Sequence, residues 1–173
     1  MILTHGANSI ERGGGGNTVN IGGYDYPVVQ IGNLCWTAKN LMADVTGSVW
    51  YDNTVNDRGK LYPFSSIADI EAILPDGWRV PTSSDAQYLL VNNTPLTLID
   101  ESIGGTNETG FSFIYTGYRF ANGNFYDYNR EGDFLTKAAG GYRVRLLNKQ
   151  IALIGPDEQT LYAFSVRLCK DAT

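Results

Sequence analysis

Residues 74–82 read Leu-Pro-Asp-Gly-Trp-Arg-Val-Pro-Thr, and this stretch separates two segments whose apolar residues have helical spacing. Its Pro-Asp-Gly turn ends a helix predicted over residues 64–74. Its second proline favours an extended approach to Thr82, whose hydroxyl is a good cap for a second helix over residues 82–91. The stretch therefore predicts two helices in the first half of the chain, joined by a turn and an extended segment.

Two short strands are predicted on the N-terminal side of these helices. Residues 24–41 carry apolar and β-branched residues that turn at Gly32-Asn33, which is typical of paired strands. Residues 11–23 contain six glycines, a composition typical of a flexible connector. We therefore expect a flexible Gly-rich arm over residues 1–23 and one folded domain over residues 24–173.

The C-terminal half has no convincing helical spacing after Asn92. Glycine, asparagine and aromatic residues accumulate there instead, which favours strands and loops. Residues 111–115, Phe-Ser-Phe-Ile-Tyr, alternate as a strand does, and residues 163–169, Ala-Phe-Ser-Val-Arg-Leu-Cys, predict a buried central strand. Helices followed by a strand-rich half favour an α+β fold over an alternating one.

The composition excludes several classes of protein. The chain has 173 residues, a length typical of one domain. Its formal net charge is −5, so it lacks the excess of cationic residues that nucleic acid binding needs. No apolar run reaches the roughly 18–20 residues of a membrane span. The N-terminus lacks the pattern of a secretory signal, so we expect a protein associated with a virion or particle, or cytoplasmic until released.

Two cysteines and one histidine offer no zinc set, no His-paired nucleophile and no Cys-x-x-Cys redox pair. Cys35 and Cys169 lie in predicted strands, which favours two buried thiols, and a bridge between them stays open as an alternative. Acidic residues such as Asp127, Glu131 and Asp133 lack a partner motif for acid–base work. We expect no enzymatic activity, no metal and no cofactor.

An aromatic-rich stretch is the strongest indication of binding. Nine of the chain's 21 aromatic residues lie within residues 111–134, interleaved with asparagine, arginine and aspartate. Residues 122–133 carry too many polar groups to be buried, so some rings face solvent or a partner. Tyrosine with asparagine and glycine is the composition of antibody paratopes, and aromatic faces with amides also suit sugars. The alternative is that these residues only serve a tight, irregular loop.

Six motifs occur in the order seen in a known family. They are Val28-Val-Gln-Ile-Gly-Asn-Leu-Cys-Trp-Thr-Ala-Lys-Asn-Leu, Gly59-Lys-Leu-Tyr, Leu74-Pro-Asp-Gly-Trp-Arg-Val-Pro-Thr, Gly105-Thr-Asn-Glu-Thr-Gly-Phe-Ser, Thr116-Gly-Tyr-Arg and Ala163-Phe-Ser-Val-Arg-Leu-Cys-Lys-Asp. Over residues 24–171 the chain resembles the Fibrobacter succinogenes major paralogous domain family. The resemblance implies a C-type-lectin-like fold with two helices, a small mixed or antiparallel sheet and a loop-rich C-terminal half that displays a binding surface.

The resemblance also implies where a ligand binds. In relatives that are diversified by retroelements, the variable positions lie between the Gly-Tyr-Arg and Ser-Val-Arg motifs. This diversification mutates adenines and tends to yield Asn, Tyr and Asp codons, and the stretch is rich in these residues. The predicted ligand-binding residues are Asn124, Tyr126, Tyr128, Asn129, Arg130, Phe134, Tyr142, Arg143, Arg145, Asn148 and Lys149. The chain departs from the family at Gly132-Asp-Phe-Leu-Thr, where relatives have a Trp-Ser-Ser type run.

We therefore expect a non-catalytic module that binds a protein or carbohydrate receptor on a cell surface. A phage or prophage origin would explain the missing export signal, with retroelement diversification of the loop and attachment to a particle through the N-terminal arm or as a homo-oligomer. One alternative is an oxidoreductase related to the formylglycine-generating enzymes, which would need a reactive cysteine pair. The other is a structural domain that decorates a particle.

Overall fold

Short antiparallel strands dominate the fold, which is α+β as the sequence predicts. The computed structural model describes residues 17–139, 141–155 and 161–173. The helices are α1 (Ile67–Ala72), α2 (Ser83–Val91) and α3 (Pro95–Leu98), with 3-10 turns at Tyr51–Asn53, Phe64–Ser66 and Glu101–Ile103. The strands are β1 (Thr18–Ile21), β2 (Tyr24–Ile31), β3 (Leu34–Thr37), β4 (Tyr62–Pro63), β5 (Tyr118–Arg119), β6 (Phe125–Tyr126), β7 (Glu131–Thr136), β8 (Tyr142–Leu147), β9 (Gln150–Ile154), β10 (Ala163–Phe164) and β11 (Cys169–Asp171).

The first sheet joins the two ends of the domain in the order β1-β2-β3-β11. The predicted turn at Gly32-Asn33 is confirmed, because β2 and β3 pair across it with Ile31 opposite Leu34. β1 lies within the predicted arm, and its Ile21 is buried, so the folded part begins before Tyr24. Residues 1–16 of that arm lie outside the described residues.

Two further sheets carry the C-terminal half, in the orders β4-β10-β5-β6 and β7-β8-β9. The strand predicted over residues 111–115 is wrong. Ser112 has a φ of 52°, and this left-handed residue turns the chain so that Phe111 and Phe113 on either side of it are both buried. The prediction for residues 163–169 is confirmed in its burial but not in its continuity, because the segment divides into β10 and the start of β11.

Both predicted helices form, although the first is shorter than its pattern. A 3-10 turn over Phe64–Ser66 leads into α1, and α2 begins after Thr82. Thr82 Oγ1 accepts a hydrogen bond from the backbone N–H of Asp85, and Asp85 Oδ2 accepts one from the N–H of Thr82. This capping box satisfies two N–H groups that the first turn leaves without helical partners.

Two hydrophobic clusters lie beneath the sheets. In one, Trp36 of β3 packs against Phe111 and Phe134, with ring centroids 5.6 and 6.2 Å away. The other cluster lies around Tyr26, Ile70 and the segment after β10. Arg79 links the second helix to the C-terminal strand, because its guanidinium donates to Asp85 and Asp171.

The contact between Arg79 and Asp85 predicts a pH dependence. Burial raises the pKa of Asp85, but hydrogen bonds from Arg79 and Thr82 outweigh it, so the net shift is downward. A lowered pKa contributes stability that is present above the carboxyl's ordinary pKa of about 3.9 and is lost as the pH falls below it. Asp85→Asn should therefore lower the free energy of unfolding at pH 7 by about 1.5–3 kcal/mol, measured by urea denaturation, and by much less at pH 3. Asp76→Asn, in an exposed turn, is the control; a loss for Asp85→Asn that does not change with pH contradicts the assignment.

Candidate functional site

A cleft of about 790 Å³ lies between the end of the first sheet and the loop that follows α3. Its walls come from β2, from residues 38–40 and 57–58, and from the loop of residues 100–115. We call it the arginine cleft, and the residues that define it are Lys39, Arg58, Asp100, Ser112 and Arg167.

Arg167 is the buried cation at the base of the arginine cleft, with 1% of its surface exposed. Its Nε donates to Asn40 Oδ1, and its Nη1 donates to the carbonyls of Thr37 at 2.9 Å and Phe111 at 2.6 Å. Its Nη2 donates to the carbonyl of Ser112 at 2.7 Å. The guanidinium thus takes its acceptors from three separate segments, and no carboxylate of the described residues lies within ion-pair distance of it.

The nearest charge that acts on this guanidinium is Asp100. Burial lowers the pKa of Arg167 to about 9, which the charge of Asp100 partly opposes, and the group stays protonated at neutral pH. Burial also raises the pKa of Asp100, but hydrogen bonds from Ser102 outweigh it and the net shift is downward. The cleft therefore contains an ionised carboxylate that is already engaged, since Asp100 Oδ1 accepts from the N–H and hydroxyl of Ser102.

Two residues in unfavourable backbone conformations shape the wall beside Arg167. Asn107 and Ser112 have φ values of 47° and 52°, which cost a non-glycine residue about 1–3 kcal/mol. Ser112 N donates to Asn107 Oδ1 at 2.9 Å, and Asn107 Nδ2 donates to Ser112 Oγ at 2.8 Å. This reciprocal pair holds the turn that presents the carbonyl of Ser112 to Arg167.

Arg58 connects the cleft to the loop that precedes β7. Its Nη1 lies within hydrogen-bond distance of the carbonyls of Tyr115 and Tyr128 and of Asn129 Oδ1. Its guanidinium also lies over the ring of Tyr128, 4.0 Å from the centroid, which is close enough for a cation–π interaction. One side chain therefore contacts two points of the loop before β7 and one point of the loop of residues 100–115.

The aromatic loop surface, as we call it, consists of Tyr51, Asn124, Phe125, Tyr126 and Tyr128. The ring of Tyr51 lies 4.5 Å from that of Tyr128 and 5.1 Å from that of Phe125. A shallow pocket of about 580 Å³ opens between residues 51–53 and residues 123–126. Tyr126 is 40% exposed, whereas Phe125 and Tyr128 are half-buried.

Most of the predicted binding residues lie at one end of the third sheet. Five of the eleven are in one segment before β7, namely Asn124, Tyr126, Tyr128, Asn129 and Arg130. Glu131 lies opposite Leu147, so the β8–β9 turn at Asn148 and Lys149 is at this same end. Arg145 of β8 approaches Glu131 at 3.8 Å and is about one-third exposed.

Tyr142 is separated from this group. It pairs with Thr136 at the opposite end of β7 and β8. Leu147 lies five positions after Tyr142 along the strand, a distance of about 17 Å at roughly 3.4 Å per residue. The predicted set is therefore not one continuous patch, and Tyr142 lies outside the group at the turn.

Phe134 and Arg143 correct the prediction of an outward-facing set, because both are buried. Phe134 packs against Trp36, and its ring lies 5.4 Å from that of Phe113. Arg143 Nε donates to Asp133 Oδ1 at 2.7 Å, and its guanidinium lies 4.5 Å from the ring of Phe164. Every residue of β7 is buried, so this strand packs on both faces and has none to offer a ligand.

The family of the chain follows from its sequence. A family model of the Fibrobacter succinogenes major domain matches residues 29–170. The chain belongs to this family. The match includes the residues that define the arginine cleft and those of the aromatic loop surface, so both features lie within the domain. No curated protein and no solved structure matches the chain.

The two cysteines are separate thiols, which overturns the alternative of a bridge. Cys35 lies opposite Lys170, and Cys169 lies opposite Trp36. Successive residues of a strand point to opposite faces, so the thiols lie on opposite faces of the sheet. Cys35 is only half-buried, contrary to the prediction, and burial raises the pKa of the Cys169 thiol.

Residues 17–139, 141–155 and 161–173 contain no cluster of three or more His, Cys, Asp or Glu side chains suited to a metal ion. None of the helices in these ranges has the length and apolar character needed to cross a membrane.

Sequence reasoning missed Arg58 and Arg167, the two arginines of the cleft. Arg167 was visible as a charged residue inside the apolar segment 163–169, where only a specific buried partner set tolerates it. Arg58 gave no comparable signal, because its partners Tyr115 and Tyr128 are 57 and 70 residues away.

Removing the buried guanidinium should destabilise the fold. Arg167→Met leaves the acceptors at Asn40, Thr37 and Phe111 without a donor, and each costs roughly 1–3 kcal/mol. We expect a loss of at least about 3 kcal/mol in the free energy of unfolding, measured by urea denaturation. Arg130→Met, at a side chain 71% exposed, should change it by less than about 0.5 kcal/mol. Equal stability of the two variants would show that Arg167 is not structurally required.

Proposed function

We propose that the chain is a non-catalytic binding module that recognises a protein or carbohydrate receptor through the aromatic loop surface. The observation that carries the proposal is a shallow, largely polar pocket of about 580 Å³, in which Tyr51, Phe125 and Tyr126 lie beside Asp52 and two asparagines, with Tyr126 40% exposed. Rings with few rotatable bonds supply contact area at low entropic cost, and the amide of Asn124 supplies adaptable hydrogen bonds.

The support beneath Tyr126 favours recognition over a loose surface ring. Tyr118 and Phe120 each lie 5.9 Å from the ring of Tyr126, and Tyr118 itself stacks on Tyr162 at 6.0 Å. A ring held by other rings loses little freedom when a ligand covers it. The exposed face of Tyr126 is thus prepared for contact.

The backbone around the pocket adds a second line of support. Asp52, Asn53 and Asp127 have φ values between 53° and 57°, although none of them is glycine. Such conformations persist only where surrounding contacts fix them, and they concentrate at ligand sites. Asp52 and Asn53 line the pocket, so their backbone conformation shapes one of its walls.

The finer fold assignment belongs to the same proposal. A C-type-lectin-like fold is supported by the pairing of β3 with β11, which brings the two ends of the domain together, and by the α-helices of the described residues, which all lie before Ile99. The loop-rich second half then corresponds to the part of that fold that displays ligands. Function still rests on the residues of the site and not on the fold.

We place this module on a phage or another particle that carries it to a cell surface. The richness of the loop before β7 in Asn and Tyr supports diversification by a retroelement. A domain that only decorates the particle would instead use the same loop for contacts between subunits. An oxidoreductase is not favoured, because Cys35 and Cys169 lie on opposite faces of a sheet.

Tyr126→Ala tests the proposal directly. Binding of the labelled protein to a glycan microarray and to an array of bacterial surface proteins should fall at least tenfold, because the exposed ring is lost. The melting temperature should fall by only about 3–6 °C, because the contacts of the ring with Tyr118 and Phe120 are also lost. Tyr88→Ala is the matched control, since Tyr88 is 37% exposed on α2. A large loss of stability, or equal binding by the two variants, would contradict the assignment.

Diversification makes a separate genomic prediction. A reverse-transcriptase gene should lie near the coding sequence, with a near-identical repeat of the segment that ends at residues 165–167. Differences between the two copies should fall at adenines and change Asn124, Tyr126 or Asn129, which lie outside β7, and should spare the buried Phe134. Sequencing of the locus checks this, and a repeat whose differences are silent or spread evenly would refute it.

A further inference from the structure

We propose that the arginine cleft is a second binding site, for a small carboxylate with a hydroxyl-bearing body, the chemistry of an acidic sugar. This site is separate from the aromatic loop surface and goes beyond receptor recognition by its rings. The volume of about 790 Å³ is within the range of small-molecule sites.

The charge of the cleft is the first argument. The whole chain carries a formal charge of −5, yet Lys39, Arg58 and Arg167 all line this cleft. Within the described part of the chain, none of the three forms an ion pair with a carboxylate. Of the acidic residues lining the cleft, Asp100 already accepts hydrogen bonds from Ser102. A bound anion would therefore supply the carboxylate partner that these cations lack.

The geometry of Arg58 is the second argument. Its Nη1 serves the loop carbonyls, whereas its Nε and Nη2 have no hydrogen-bond acceptor among residues 17–139, 141–155 and 161–173. These two atoms form one edge of the planar guanidinium, and that edge matches the two oxygens of a carboxylate. Its stacking on Tyr128 limits rotation of the guanidinium plane.

Arg167 strengthens this anion site from below. Its hydrogen bonds go to neutral acceptors, so its full positive charge is not cancelled by contact with a carboxylate. Asn40 joins the two arginines, since its Oδ1 accepts from Arg167 and its Nδ2 donates to the carbonyl of Arg58. A buried charge of this kind acts through a low local dielectric and favours an anion nearby.

The remaining residues of the lining indicate the chemistry of the part of the ligand that bears the hydroxyls. Asp57 is exposed at the cleft and has no hydrogen bond or ion pair with the described residues, so it can accept hydrogen bonds from hydroxyls. Its charge opposes that of the ligand's carboxylate, but the three cations of the lining outnumber Asp57 and Asp100. Asn129 Oδ1 is engaged by Arg58, which leaves its amide N–H groups to donate. Val29 and Ile103 supply apolar contacts of the kind that fit the C–H face of a sugar ring.

Isothermal titration calorimetry of the full chain with glucuronate, glucose and glutamate tests the proposal. Glucuronate should bind, glucose should bind at least tenfold more weakly because it lacks the carboxylate, and glutamate should also bind at least tenfold more weakly because it lacks the hydroxyls. Glucose equal to glucuronate overturns the role of the arginines, and glutamate equal to glucuronate overturns the sugar assignment. If glucuronate at 10 mM, a concentration that would reveal even an affinity of about the weakest useful kind, does not bind, the proposed site is wrong.

Lys39→Glu is the variant least expected to disturb the fold, because Lys39 is exposed. It should weaken glucuronate binding about tenfold, and Arg58→Gln at least tenfold. Lys137→Glu is the control for net charge, since it makes the same charge change at an exposed lysine outside the cleft, and it should bind as the parent does. Because it also breaks the ion pair of Lys137 with Glu71, its melting temperature is measured to check that it is folded. If Lys39→Glu and Lys137→Glu weaken glucuronate binding equally, the effect comes only from the net charge of the protein, and the proposed site is wrong.

Tyr126→Ala separates the two proposals, because Tyr126 does not line the cleft. It should bind glucuronate with the affinity of the parent while it loses receptor binding. Loss of glucuronate binding in Tyr126→Ala would show that the cleft is not an independent site and would overturn this inference.

Discussion

The buried guanidinium of Arg167 is the interaction on which the rest of the structure depends. It takes acceptors from the end of β3, from Asn40 and from the Phe111-Ser112 turn, so a single side chain joins three parts of the chain. Burial of a charge without such partners would cost more free energy than the net stability of most folded proteins. The route of the backbone between these segments is therefore fixed by the need to surround one cation with oxygens.

This constraint explains why loops, and not helices, form the arginine cleft. Ser112 adopts a φ of 52° to present its carbonyl to Arg167, and the same turn directs Phe111 and Phe113 into the core beside Trp36. The cation and the aromatic core thus hold the loop from two sides. Side chains on a loop held in this way keep their positions nearly as well as those on a regular element, which a binding site requires.

Local chemistry made part of the fold predictable. The hairpin at Gly32-Asn33 and the cap at Thr82 depend on residues within a few positions of one another, and both were visible in the sequence. The burial of Phe134 was not, because the polar residues around it suggest a loop. Asp133 is tolerated in a buried strand through Arg143, ten residues away on the neighbouring strand. Sequence patterns report such a pairing poorly, since each charge by itself favours the surface.

Arg58 shows how the aromatic stretch divides between support and display. Tyr128 lies between Arg58 and Tyr51, so its ring helps to hold the loop, whereas Tyr126 presents its face outward. The same residue also lines the arginine cleft. Any movement of Arg58 toward a group in the cleft must act on Tyr128 and its carbonyl. The cleft and the aromatic loop surface are thus distinct in chemistry but joined mechanically at one residue.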